Sequence, residues 1–119
     1  MANLTTLKPY LKNGIEDYGS ITSPSYKSFE RKYKNYLKQI AQEVGGELVK
    51  FNSNHYEFSC FIKRNEKYVY ISISDVRYFK NEWFNHVLIR IAQSERDYRG
   101  GSNRYTSLDK IDQMIIALS

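Results

Sequence analysis

The sequence predicts an α+β domain in which one antiparallel sheet of three or four strands is packed by an N-terminal-side helix and a C-terminal helix. Three observations carry this. Apolar residues recur every three or four positions from Tyr26 to Val44, the period of one helix face. Between Glu47 and Asp75 the period drops to two, the period of a half-buried strand. The helical period returns from Leu108 to Leu118.

Residues 1–23 read as an N-terminal arm and residues 24–119 as a single domain. In the arm, Leu4, Leu7 and Leu11 have helical spacing, but Pro9 and Gly14 limit any helix there. Gly19 to Pro24 is a loop by composition. The first helix begins where Ser23 can cap and Pro24 occupies the first turn, where its missing N–H costs nothing. Tyr26, Phe29, Tyr33, Leu37, Ile40 and Val44 form its apolar stripe, and Gly45-Gly46 ends it.

Three strands follow. Glu47 to Phe51 is expected to stop at the turn formers Asn52-Ser53-Asn54. His55 to Lys63 places Tyr56, Phe58, Cys60 and Ile62 on one face. After the turn at Arg64-Asn65-Glu66, Lys67 to Asp75 sets Val69, Ile71 and Ile73 against Tyr68, Tyr70, Ser72 and Ser74. Short connections make neighbouring strands antiparallel. Val76 to Asn85 reads as an aromatic-rich connection. His86 to Gln93 alternates Val87, Ile89 and Ile91 with Leu88, Arg90 and Ala92, a fourth strand whose alternative is a helix through Trp83 to Ala92. A polar loop from Ser94 to Tyr105 leads to the last helix, with Thr106 as its expected cap, Asp109 three residues on, and Leu108, Ile111, Ile115 and Leu118 as its stripe.

Composition narrows the function classes. The 119 residues carry 18 Lys+Arg against 13 Asp+Glu, a net charge of +5, and 11 tyrosines. The positive balance favours polyanionic partners, and tyrosine offers rigid contact area with a polar tip. A single cysteine leaves no intramolecular disulfide and no multi-cysteine zinc site. No apolar run approaches the ~20 residues of a membrane span and no signal-peptide core is present, so a cytoplasmic protein with no membrane association is expected.

Candidate binding residues fall in two basic clusters and one supporting segment. Arg96, Tyr98, Arg99, Arg104 and Tyr105 lie in the polar loop around Gly100-Gly101, where arginine and tyrosine suit stacking and forked contacts to phosphate or carboxylate. Glu95 and Asp97 nearly cancel that cluster's charge. Arg77 and Trp83 support it from the connection after the third strand. The second cluster is Lys27, Arg31, Lys34 and Lys38, spaced four, three and four along the first helix, a ridge that can track a phosphate backbone. Catalytic constellations fail: His55 and His86 lack metal-ligand spacing, Cys60 sits mid-strand between apolar neighbours, and no phosphate-loop or hydrolase-elbow glycine pattern occurs. No cofactor, no metal and no catalytic residue is expected. A metal-dependent nuclease is the third-ranked reading; the strand from Lys67 to Ser74 lacks the carboxylate that restriction-endonuclease-like nucleases place there.

Two further resemblances bear on function. The order helix, antiparallel strands, helix is similar to double-stranded-RNA-binding domains, which would imply shape-based RNA contact. Where that family opens its last helix with a lysine cluster, this chain has Thr106-Ser107-Leu108-Asp109-Lys110. The stretch Ile73 to Arg77, with Trp83-Phe84-Asn85, Arg90 and Gly100 to Asn103, resembles small proteins of bacterial phages and conjugative elements, some of which are anti-CRISPR inhibitors. That resemblance implies a non-enzymatic protein that inhibits a host nuclease, its partner the effector or the effector's RNA complex. Direct nucleic-acid binding through the helix ridge is the alternative.

Overall fold

The structure, a computed structural model, describes residue 7 and residues 24–54, 57–73, 86–98 and 101–119. Helix α1 (Pro24–Glu43) precedes strands β1 (Glu47–Asn54), β2 (Glu57–Arg64), β3 (Lys67–Ile73), β4 (Val87–Ala92) and β5 (Arg104–Thr106). A 3-10 turn over Leu108–Lys110 then leads into helix α2 (Ile111–Leu118). The strands form one sheet in the order β1-β2-β3-β4-β5, every neighbouring pair antiparallel. The α+β class holds, with five strands in place of three or four. The segment 87–92 is strand and not helix, because alternate residues reach opposite faces of the sheet.

The extra strand and the moved boundaries share a cause. β5 carries no alternating pattern of its own; it exists because its backbone pairs with β4, Leu88 opposite Tyr105 and Val87 opposite Thr106. Thr106 therefore ends a strand, and Ser107 takes the cap position, its hydroxyl bonded to the Asp109 carboxylate. Likewise Asn52-Ser53-Asn54 extends β1, with Asn54 opposite Glu57. Ladder pairing outweighs local turn preference there. At the β2–β3 hairpin the turn is two residues long. Asn65 and Glu66 both have positive φ, 53° and 63°, matching the right-handed twist of the flanking strands.

Both predicted apolar stripes meet on one sheet face. Phe29, Tyr33, Leu37, Ile40 and Val44 of α1 pack with Phe58, Cys60, Ile62, Val69, Ile71, Ile73, Val87 and Ile89 of the sheet. Leu108, Ile111, Ile115 and Leu118 close the same core, and Leu7 is buried in it. Tyr26 and the cap residue Ser23 lie outside the side chains described.

Polar links fix the helices to the sheet. The helix α1 ends in a double turn of hydrogen bonds, Gly45 N–H to Gln42 and Gly46 N–H to Ala41, with Gly45 at φ +75°, the left-handed conformation glycine takes cheaply. A Cβ on Gly46 would sit 2.7 Å from the Lys63 carbonyl, so helix and β2 approach as closely as glycine permits. Arg64 Nε donates to the Val44 carbonyl at 2.6 Å and its Nη1 to Ser119 Oγ at 2.9 Å. One cation thus caps α1 and ties it to the end of α2.

Two buried phenols predict opposite outcomes. Tyr36 donates to the Leu108 carbonyl at 2.8 Å, whereas the Tyr33 hydroxyl is buried with no hydrogen-bond partner among the described residues. Tyr36→Phe orphans a buried carbonyl and should lose about 1–3 kcal/mol; Tyr33→Phe removes an unsatisfied group and should gain about 1 kcal/mol. Denaturant unfolding of the two variants checks the sign of each.

The same groups set the alkaline limit. Burial raises the Tyr33 and Tyr36 phenols and the Cys60 thiol above their ordinary values of 10.0, 10.0 and 9.0; the carboxylates of Asp112, Asp109 and Glu43 add to the effect at Tyr36. Above those values the unfolded chain releases protons that the folded chain retains. Stability is therefore expected to be intact below about pH 9. Above it, the loss should approach about 1.4 kcal/mol per pH unit for each such group. Unfolding curves at pH 8, 10 and 11 measure this, and Tyr36→Phe should flatten the slope.

Candidate functional site

Helices cover one face of the sheet; the other carries a graded set of side chains that register places in rows. Lys50, Phe61, Tyr70 and Arg90 stand side by side across β1 to β4. The next row is Asn52, Ser59, Ser72, Leu88 and Tyr105 across all five strands. Bulky residues thus lie beside a row whose centre is two serines.

The turn after β4 folds back onto the first row. Tyr98 sets its ring edge-on to Phe61 at 5.1 Å and to Tyr70 at 6.0 Å, and its hydroxyl accepts from Asn52 Nδ2 at 3.1 Å. Phe61 is fully buried beneath this cover although it points away from the main core. What holds the turn down is Arg90, only 2% exposed. Its guanidinium lies 4.5 Å from the Tyr70 ring centre, its Nη2 donates to the Asp97 carbonyl at 2.6 Å, and its Nη1 lies 3.7 Å from the Asp97 carboxylate. That carboxylate also accepts the Gln93 N–H at 2.9 Å. Gly101, at φ +73°, passes so close to β4 that a Cβ would meet the Ile91 carbonyl at 2.9 Å.

Beside Tyr98 the sheet opens into a cleft of about 530 Å³, lined among others by Phe51, Asn52, Ser59, Tyr70, Ser72 and Tyr98. One ammonium group stands over a ring on each side of β1. On the cleft's face Lys50 Nζ stands 5.2 Å from the centre of Tyr98; on the helix-covered face Lys34 Nζ stands 5.6 Å from the centre of Phe51, whose ring packs with Tyr33 and Phe58. Such contacts attract a cation to a ring face and leave its N–H groups free to meet an anion.

The predicted residues divide accordingly. Tyr98 and Tyr105 share the open face, Tyr98 as the cover and Tyr105 at the far edge, its ring 6.0 Å from that of His86. Arg96 is exposed on the turn. Arg104 and Tyr105 belong to a strand, not a loop, since pairing with β4 straightens them, and Arg104 stands opposite Ile89. Arg77, Trp83 and Arg99 lie outside the described residues. Along α1, Arg31 and Lys38 are exposed, Lys27 reaches Glu30 at 3.7 Å and Lys34 turns toward β1.

Sequence reasoning missed Lys50, Asn52, Ser59, Phe61 and Arg90 as site residues. Phe61 was the available signal: it is an apolar residue in the polar phase of β2, which implies a second, smaller apolar cluster on the other face. Burial raises the Cys60 thiol well above its usual range, so it carries no thiolate near neutral pH. Among the described residues no group of three or more His, Cys, Asp or Glu side chains could hold a metal ion, and no helix is long and apolar enough to cross a membrane.

Fold and face together define an α+β domain with one helix-covered sheet face and a second face that, among the described residues, no helix covers and that bears a cleft of tyrosine rings and a lysine. No protein-family model, curated protein or solved structure matches the chain.

Proposed function

We propose that the protein is a non-catalytic binding domain that engages nucleic acid directly, on the sheet face opposite the helices, with the lysine ridge of α1 as a second positive surface. One observation carries the reading: on the sheet face that bears the cleft, the Lys50 ammonium stands 5.2 Å from the centre of the Tyr98 ring, itself beside the ring of Tyr70. Rings that can stack on bases beside ammonium groups that can neutralise phosphates are the two elements of sequence-tolerant nucleic-acid binding. Arg31 and Lys38, exposed on α1, form with Lys34 the second positive surface, on the helix side.

Fluorescence anisotropy with labelled single-stranded and duplex DNA and RNA at about 50 mM salt tests this. Binding should weaken steeply with salt. Lys34→Glu combined with Lys50→Glu should reduce the log–log slope on single strands by about 1.4, roughly 0.7 for each phosphate no longer neutralised. Absence of binding to every probe overturns the reading.

A second reading is inhibition of a host nuclease of the CRISPR effector type. It is favoured by Tyr105, 62% exposed at the sheet edge, and by Arg96 on the neighbouring turn, since tyrosine and arginine are the commonest anchors of protein interfaces. Here Tyr105→Ala and Arg96→Ala should abolish recovery of a nuclease complex by the tagged chain. The alternative is excluded if the chain fails to protect an incoming plasmid from interference.

A further inference from the structure

We infer that the recess over Ser59 and Ser72 receives one unstacked nucleobase, which makes the ligand single-stranded. The inference rests on the nucleic-acid reading above and specifies its substrate.

The recess is a consequence of register. Ser59 of β2 and Ser72 of β3 are direct cross-strand partners, and adjacent strands lie about 4.8 Å apart. Two of the smallest side chains therefore stand together in the middle of the sheet. One row along, Phe61 pairs with Tyr70, and Tyr98 leans over both. The sheet surface thus steps down from a three-ring wall to a floor of two hydroxyls, with Asn52 at the β1 side of the floor. The resulting cleft, about 530 Å³, falls within the range of small-molecule sites, about 300–1,000 Å³.

Its chemistry matches a base rather than a sugar–phosphate. Neither Ser59 nor Ser72 has a hydrogen-bond partner among the described side chains, and both are half-buried. Each hydroxyl can donate or accept, and the Asn52 amide does both, so together they can meet the mixed edge of a heterocycle. Of the wall, Tyr70 and Tyr98 line the cleft and supply aromatic rings for the face of the base. Phosphate is provided for beside the recess, by Lys50 above Tyr98. A base stacked and paired within a duplex cannot enter a recess set below a ring wall; a base splayed out of a single strand can.

The test uses the full chain and three labelled probes: a single strand, the same sequence as a duplex, and the same strand with abasic sites along its length. The intact single strand should bind about 10-fold more tightly than either of the others, the order of one stacked base. Ser59→Val with Ser72→Val, which fills the recess and leaves every lysine in place, should lose that advantage while keeping its salt dependence. Equal affinity for all three probes overturns the inference and leaves the nucleic-acid reading intact, whereas no binding to any probe overturns both. Should the double valine variant fail to fold, the unaltered chain decides the matter by its ratio for intact and abasic strands.

Discussion

An Arg90→Ala chain is expected to lose about 3–5 kcal/mol of stability. The guanidinium is 2% exposed and serves the Asp97 carbonyl at 2.6 Å, the Ile91 carbonyl at 3.3 Å and the Asp97 carboxylate at 3.7 Å, with the Tyr70 ring 4.5 Å away. Truncation leaves these acceptors without their donor and opens a void beside Tyr70. It also releases the turn that carries Tyr98. Arg90→Lys keeps the charge but not the planar fork, so it should recover only part of the loss. Asp97→Asn takes the counter-charge from the buried guanidinium and should cost about 1–3 kcal/mol, less than truncation of Arg90 because the 2.6 Å bond goes to the Asp97 backbone and survives. Urea unfolding separates the three variants. A midpoint for Arg90→Ala equal to that of the unaltered chain would show that the guanidinium contributes nothing net.

Phe58→Ala should cost a comparable 3–5 kcal/mol, by a different route. Phe58 is 1% exposed and stands among three other rings: Phe29 and Tyr33 at 5.6 Å and Phe51 at 5.9 Å. Those rings belong to α1 and β1, so the cluster is what seats the long helix on the sheet. Removing its central member forfeits the transfer energy of a buried phenyl group and leaves a cavity bounded by ring faces that cannot easily collapse. For a domain whose total stability is about 5–15 kcal/mol, that is a large fraction. Phe58→Leu should restore much of it. Ile116→Ala, at a site 54% exposed, should change stability by no more than about 0.5 kcal/mol. Thermal melts of the three chains rank them, and equal midpoints for Phe58→Ala and Ile116→Ala would contradict the packing argument.

The parts of the fold legible in the sequence are those where one face is buried against a helix. Phe29, Tyr33, Leu37 and Ile40 on α1 meet Phe58, Cys60 and Ile62 on β2 and Val69, Ile71 and Ile73 on β3, and the period of each set marks it. Boundaries are less legible. Asn52 to Asn54 have strong turn propensity yet lie in β1, and Arg104 to Thr106 have no strand pattern yet form β5. In both places the deciding interaction is a backbone ladder with a partner strand, which leaves no periodic trace.

The candidate site is legible only in pieces. Alternation puts Tyr68, Tyr70, Ser72 and Arg90 opposite the apolar phase, and the polar loop singles out Tyr98. Nothing in the sequence indicates that Tyr98 lies on Phe61 and Tyr70, since its hydrogen bond with Asn52 spans 46 positions. Nor does spacing foretell that Arg90, flanked by apolar residues in a strand, turns inward to hold Asp97.

By itself, then, the sequence determined which residues make helix and strand, which faces are apolar, and that the chain is basic and rich in tyrosine, because periodicity and composition are local or additive properties. Tertiary structure alone decided the number of strands, the internal role of Arg90 and the meeting of Lys50, Asn52 and Tyr98 on one face of the sheet. Those depend on contacts between segments far apart in the chain, and such contacts are chosen by packing and register rather than by any residue's own preference.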